Sequence, residues 1–347
     1  MSHKPNNQIA RRSVLKGMGV AAGAAFTGSM LHVGQALSAD EFKVTMQLGW
    51  LASNGILGEV AADKLGYYAD EGLSLDIVAG GPNIDGVASV ASGRANLGSI
   101  SSSPSLMLAR AAGIPIKCIA AGYQQHPFTY FSLKKNPVNK PQDLIGKKIA
   151  TNGTARILLD ALLAKNNISP DDVEVIVAGS DMSVLMTGQA DVVTGWTTNV
   201  NALSVLGDQR VDLSLWDAGV QLYANPYYVT DSTLADHQDK VEAMIRVSAK
   251  GWGWVYNNPE KACEYLVERY PNLDLESELK AVGLVVDYSF NEVTKEQGWG
   301  AMNTANWQAQ IDAYDALGQF SSEPPKVDDM MTLSILEATA ASRPKLG

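Results

Sequence analysis

The chain has 347 residues, more than the ~250–300 at which a single hydrophobic core stops growing, so one large or two medium domains are expected. Hydrophobic residues make up 46% and charged residues 18%, a globular composition that excludes a disordered chain. Acidic residues outnumber basic ones by 37 to 27, a balance that repels nucleic acid and anionic lipid and excludes both as expected partners.

The amino-terminal segment differs from everything after it. Residues 1–39 hold Lys4, Arg11, Arg12 and Lys16, no acid, and the uncharged run "GMGVAAGAAFTGSMLHVGQALSA" with small residues at Ala36, Ser38 and Ala39. A basic head, a weakly apolar stretch and a small-residue site are the layout of an export signal, and "ARRSVLKG" resembles the twin-arginine type. Setting those four bases aside leaves 23 basic against 37 acidic residues, a net charge of about −14 for the mature part. An exported, periplasmic protein with the signal removed is expected. Cys118 and Cys263 lie in apolar settings and are expected as unpaired buried thiols.

From residue 43 short β-prone runs alternate with amphipathic ones. Strands are predicted at 43–50, 73–80, 95–101 and 114–123, and helices at 55–72, 82–93 and 103–113. A second round predicts strands at 146–151, 173–179, 190–196 and 211–219 and helices at 154–167, 180–188 and 198–207. Strand and helix alternation of this length implies right-handed crossovers and a mostly parallel sheet in each round, an α/β architecture. "SGRANL" at 92–97 is echoed by "TGQADV" at 187–192, in keeping with two similar lobes. "HPFTYFSL" at 126–133 and "ANPYYVTD" at 224–231 read as two strands crossing between lobes. The expected domains are therefore 1–39 as the signal, 40–127 plus 228–347 as lobe 1 and 128–227 as lobe 2, hinged at the crossings. "VDDMMTLSIL" at 327–336 is expected to pack on the first lobe.

The chain is poor in catalytic apparatus. His3 and His32 belong to the signal, and His126 and His237 stand more than a hundred residues apart without metal-binding spacing. The serine run "GSISSSPS" at 98–105 has no G-x-S-x-G frame, and neither a Walker motif nor a dinucleotide fingerprint is present. No catalytic residue, metal or cofactor is expected.

The loops at the predicted strand ends are more informative, because ligands of parallel α/β sheets collect there, beside helix amino-termini. They read "GWLASNG" (49–55), "GGPN" (80–83), "SISSSPS" (99–105), "TNGTAR" (151–156), "AGSD" (178–181) and "GWTTN" (195–199). Gly combined with Ser, Thr, Asn or Asp caps helices everywhere, but here the pattern recurs on both lobes around one predicted cleft. Candidate ligand contacts are Trp50, Asn54, Pro82, Asn83, Ser101, Ser102, Ser103, Asn152, Gly153, Thr154, Asp181, Trp196 and Thr197, joined by Tyr223 and Tyr227 near the second crossing. Trp50 and Trp196 are placed to stack on a planar ligand. Asp181 either receives an amino group or caps the helix after it, and Arg156 either meets an anion or forms a surface pair. Ser101, Ser102 and Ser103 are expected to cap the following helix, one or two of them also bonding the ligand.

With "GYYADEGL" at 66–73, "GRANLGSISSSPSL" at 93–106 and "KPQDLIGKKIAT" at 140–151, the chain resembles the NMT1/THI5-like family of periplasmic substrate-binding proteins of ABC importers. The resemblance spans about residues 43–290 and implies a two-lobed periplasmic-binding-protein fold, a small-molecule ligand and ABC permease subunits in the inner membrane as partners, with a monomer expected. It implies pocket loops at Trp50 to Asn54, Ser101 to Ser103 and Asn152 to Thr154. A heteroaromatic ligand like a thiamine pyrimidine precursor then stacks on Trp50 and Trp196 with its amino group at Asp181. The alternatives are a sulfonate, taurine or similar small anion and, beyond binding, an enzyme on the same fold. Synthesizing members use a cysteine-rich segment that this chain lacks, which disfavours the last.

Overall fold

β-branched and aromatic runs bounded by Gly and Pro become strands, and the amphipathic runs between them become helices that cover the sheets. A computed structural model describes residues 41–81, 84–152, 155–178 and 181–347. The expected export segment, and with it the first domain boundary, lies outside the described residues, as do Pro82, Asn83, Gly153 and Thr154.

In the first round β1 (Phe42–Leu48), β2 (Leu73–Val78), β3 (Leu97–Ser99) and β4 (Ile116–Tyr123) alternate with α1 (Leu57–Lys64), α2 (Tyr67–Asp70), α3 (Gly86–Ala91) and α4 (Ser103–Ala111). In the second, β5 (Phe128–Leu133), β6 (Lys148–Thr151), β7 (Glu174–Val177), β8 (Val192–Trp196) and β9 (Arg210–Ser214) surround α5 (Arg156–Lys165), α6 (Ser183–Met186) and α7 (Val200–Leu203). The chain returns through β10 (Ala224–Thr230) and continues in helices: α8 (Asp231–Asp236), α9 (Gln238–Asn257), α10 (Pro259–Arg269), α11 (Leu275–Ser289), α12 (Glu292–Gln297), α13 (Thr304–Ala316), α14 (Val327–Met330) and α15 (Ser334–Ala338).

The strands form two five-stranded sheets of matching order, β2-β1-β3-β10-β4 and β7-β6-β8-β5-β9. In each, the first three strands are parallel and the fourth is antiparallel to both neighbours. The strands of the two segments expected to cross between lobes each pair within one sheet: β5 pairs with β8 and β9, and β10 pairs with β3 and β4. Residues 224–227, counted above with lobe 2, therefore pair in the first sheet, and the crossings are the short segments 124–127 and 215–223. Both sheets belong to one compact unit, residues 38–347.

Two expected helices are divided, and 198–207 becomes α7 followed by a 3-10 segment at Ser204–Gln209. The run 55–72 divides into a 3-10 turn at Asn54–Ile56, α1 and α2, because Gly66 adopts a left-handed φ of 79° that ends α1 before α2 begins. In the first lobe α9 lies against α1 at close range. A Cβ on Gly251 would sit 2.1 Å from the Gly58 carbonyl oxygen, and one on Gly58 would sit 2.2 Å from the Trp252 ring. Trp252 in turn stacks on Trp299 at 6.2 Å, an arrangement worth about 0.5–1.5 kcal/mol beyond its buried area. The tail packs as expected: Thr332 donates its N–H to the Cys118 carbonyl at the far edge of the first sheet. Cys118 and Cys263 are free and buried.

Candidate functional site

A matching dipeptide stands at each connection, His126-Pro127 within the first crossing and Asn225-Pro226 at the start of β10, just past the second. Asn225 takes a left-handed φ of 47°, a conformation that Asn tolerates better than most residues. Its side-chain amide lies against Gly55, where a Cβ would stand 3.0 Å from Nδ2. His126 is buried; its Nδ1 accepts from the Phe128 N–H at 3.2 Å and its Nε2 has no partner. Burial pushes the imidazole down to about 3, so His126 is neutral at physiological pH. Gln124 fixes the same crossing to the carboxy-terminal helices, donating its N–H to the Tyr288 carbonyl at 2.7 Å and Nε2 to the Ala301 carbonyl at 3.0 Å.

Beside these crossings the loops after β1 and β8 meet. Asn54 is buried, and its Nδ2 donates to Glu278 Oε2 at 2.9 Å and toward the Thr198 carbonyl at 3.4 Å. Thr197 Oγ1 and Tyr288 Oη share a hydrogen bond of 2.7 Å. Helix α11 thus supplies Glu278 to the loop of one sheet and Tyr288 to the loop of the other. Burial raises the Glu278 carboxyl above the usual range against the lowering effect of the Asn54 bond, and burial also raises the Tyr288 hydroxyl. Trp196, half-buried at the end of β8, lies edge-on to His126 at 5.4 Å and tilted to Tyr123 at 6.2 Å.

The candidate residues are distributed as follows. Trp50 is 44% exposed on the first lobe's rim, with Leu51 and Ile84 exposed nearby, while Trp196 and Thr197 lie beside His126 and Tyr288. The tryptophans end strands in non-equivalent places, since β8 corresponds by sheet order to β3 and not to β1. Asn152 Oδ1 accepts from the Ala155 N–H at 2.7 Å, holding the turn into α5. Asp181 is exposed and engages both oxygens locally, with the Ser183 N–H at 2.9 Å and the Ser183 hydroxyl at 2.7 Å, which hold its carboxyl below the usual range.

Three expectations are corrected. Ser102 precedes α4 without a side-chain cap, because it is held in an extended bridge to Ala224, and its hydroxyl is buried without a partner. Ser103 is fully buried and donates its hydroxyl to Gln310 of α13 at 2.5 Å, leaving Ser101, half-buried, as the most open of the three. Tyr223 and Tyr227 belong to the first-lobe core. The Tyr223 hydroxyl accepts from the Asn303 N–H at 3.2 Å, and the Tyr227 hydroxyl donates to Glu59 at 2.6 Å. Tyr228 points to the opposite face, over Gly98, as the two-residue period of a strand requires.

Glu278 and Tyr288 are not among the residues expected at the site, whereas Asn225 lies with Tyr223, Tyr227 and Tyr228 near the second crossing, where some are expected to face the cleft and others the core. The first two sit in a helix more than ninety positions from their partners, and no local pattern signals such a contact. Two surface hollows, one by Met302, Leu336 and Arg343 and the other by Val60, Tyr265 and Arg269, involve none of the strand-end loops.

Comparison with known proteins adds a family. The chain is 25% identical over 289 residues to a formylaminopyrimidine-binding protein of Halalkalibacterium halodurans, covering 80% of this chain and 86% of that one. It is 23% identical over 247 residues to a 4-amino-5-hydroxymethyl-2-methylpyrimidine phosphate synthase of Legionella pneumophila, covering 69% and 77%. In fold it resembles the alkanesulfonate-binding protein SsuA of Xanthomonas axonopodis pv. citri, solved bound to MOPS, with a TM-score of 0.63, 16% identity and coverage of 85% and 100%. Residues 53–262 match the family model described as NMT1/THI5 like, more than half of the chain. The chain belongs to the NMT1/THI5-like family.

Proposed function

We propose that this protein is the solute-binding receptor of an ABC importer, capturing a small heteroaromatic ligand between its two lobes and handing it to membrane permease subunits. The observation that carries the reading is the meeting of strand-end loops from two sheets of matching order beside a pair of short crossings: Asn54 reaches Thr198, and Tyr288 reaches Thr197. Two rigid sheets linked by a few residues close by hinge motion, and a ligand that contacts both loops stabilizes the closed state more than the open one. Trp50 and Trp196 supply faces for a planar ring, Thr197 and Ser101 supply hydroxyls, and Asn54 and Asn225 supply amides. Export across the inner membrane, with removal of residues 1–39, belongs to the same reading. The resemblance to a formylaminopyrimidine-binding protein supports a nitrogen heterocycle.

A sulfonate is disfavoured by charge. Among the described residues of the strand-end loops the only guanidinium is Arg156, and its Nε is engaged by Asp160 Oδ1 at 2.7 Å. A carboxylate, Glu278, stands at the meeting point instead. An anion brought there meets repulsion in place of a basic partner.

The test is titration calorimetry and tryptophan fluorescence of the purified protein with aminopyrimidines and alkanesulfonates. Stoichiometric binding of an aminopyrimidine, recovered chemically unchanged, is expected. Conversion of the bound compound without added partners would sink the receptor reading in favour of an enzyme, and tighter binding of a sulfonate would overturn the ligand class.

A further inference from the structure

We infer that Glu278, which sequence reasoning passed over, fixes the side chain of Asn54 so that it offers the ligand an acceptor only, and that the cleft thereby selects ligands bearing an N–H donor. The inference rests on the cleft being a ligand site and deepens that reading by naming what Asn54 recognizes.

A side-chain amide has two donors on nitrogen and one acceptor oxygen, and either edge can face a given neighbour. At Asn54 both neighbours of one edge are acceptors: the Glu278 carboxylate at 2.9 Å and the Thr198 carbonyl at 3.4 Å. Turning the amide over would set its oxygen against two oxygens, so the nitrogen is held toward Glu278 and Thr198. Both of its hydrogens are then used within the protein. The opposite edge carries Oδ1, which makes no hydrogen bond to the described residues. The loop lies between the end of β1 and Thr198 just past β8, so this acceptor sits where the two lobes meet. A ring with an exocyclic amino group or a protonated ring nitrogen satisfies it, whereas a sulfonate or carboxylate group presents a second acceptor and is rejected. Leaving a buried polar group unpaired is what makes such selection effective. Glu278 acts through Asn54 and is a positioning residue.

The experiment compares a 4-aminopyrimidine with its 4-dimethylamino counterpart, which lacks the N–H donor, on the wild type and on Glu278→Gln, by titration calorimetry. The wild type is expected to favour the amino compound about tenfold, the worth of one hydrogen bond whose loss leaves a partner unsatisfied. In Glu278→Gln the glutamine carboxamide donates as well as accepts, only the Thr198 carbonyl still orients Asn54, and the preference falls. The ratio of the two affinities is unmoved by a general weakening of the fold, and circular dichroism of each variant checks folding independently. A wild type that binds both compounds equally overturns the inference while leaving the receptor reading intact, as does a Glu278→Gln protein that keeps the full preference. A wild type that binds neither compound overturns the cleft reading and the inference with it.

Discussion

Glu59 offers the sharpest test of the energetics. Its carboxyl is wholly buried between α1, α9 and β10; Oε1 accepts from the Tyr227 hydroxyl at 2.6 Å, while Oε2 is unpaired. Tyr68 Oη and Ser248 Oγ are unpaired and buried as well, and the Trp252 indole N–H reaches the Tyr227 oxygen at 3.4 Å. Burial outweighs the hydrogen bonding around the carboxylate, chiefly that of Tyr227, and pushes the group up from 4.5 to about 7. The folded state therefore binds the proton more tightly than the unfolded chain. This contribution is complete below pH 4.5, falls as the pH rises toward 7 and is lost above it. At about 1.4 kcal/mol per pH unit the difference amounts to roughly 3 kcal/mol, a large part of a typical total of about 5–15 kcal/mol. In Glu59→Gln a neutral amide of the same shape replaces the carboxyl and the dependence disappears. Urea midpoints of wild type and variant, followed by fluorescence from pH 4.5 to 8, isolate it, because all other groups cancel in the difference. The wild type should lose roughly 3 kcal/mol relative to the variant across this range. A difference that stays constant with pH would refute the reasoning.

Trp50→Ala should leave the urea midpoint almost unchanged, within about 0.5 kcal/mol, since the ring is exposed, while weakening a stacked ligand by about 1 kcal/mol in calorimetry. Trp196→Ala should lower both stability and affinity, because that ring also packs on His126 and Tyr123; equal behaviour of the two variants would contradict their different placement. Tyr288→Phe removes the hydroxyl shared with Thr197 and should weaken ligand binding by about 1 kcal/mol, roughly fivefold, with little change in melting temperature. Cys118 is wholly buried, and burial holds its thiol far above the usual range, so thiol reagents should label it only after denaturant is added and reductant should not shift the melting curve.

The element pattern was legible because hydrophobic period and glycine punctuation are local properties. Both rounds of strands and helices follow from them, and so does the opposed facing of Tyr227 and Tyr228. The break at Gly66 was present in the sequence too, but a glycine within a helical pattern reads equally as an interior residue. What local pattern does not carry is which distant side chain meets a loop. Ser103 reads as a cap in the sequence but bonds Gln310, 207 positions away, and Asn54 is held by Glu278, 224 positions away. Tyr223 and Tyr227 were drawn toward the cleft by their nearness to a crossing, yet large aromatic rings at the start of a central strand find more buried area in the core.

The antiparallel fourth strand of each sheet also sets an order of assembly. In the second sheet β9 docks on β5, which precedes it in the chain, so that sheet is complete once residue 214 has been synthesized. In the first sheet β4 has β10 as its neighbouring strand, which is made after the whole second lobe, so β4 waits without that partner through about a hundred residues of synthesis. Refolding should reproduce the sequence, with pulse-labelled amides of β6 and β8 protected before those of β4; protection in the opposite order would exclude it. The lobe that begins first is thus the one that finishes last, and its exposed strand is where a nascent chain of this topology most needs a chaperone.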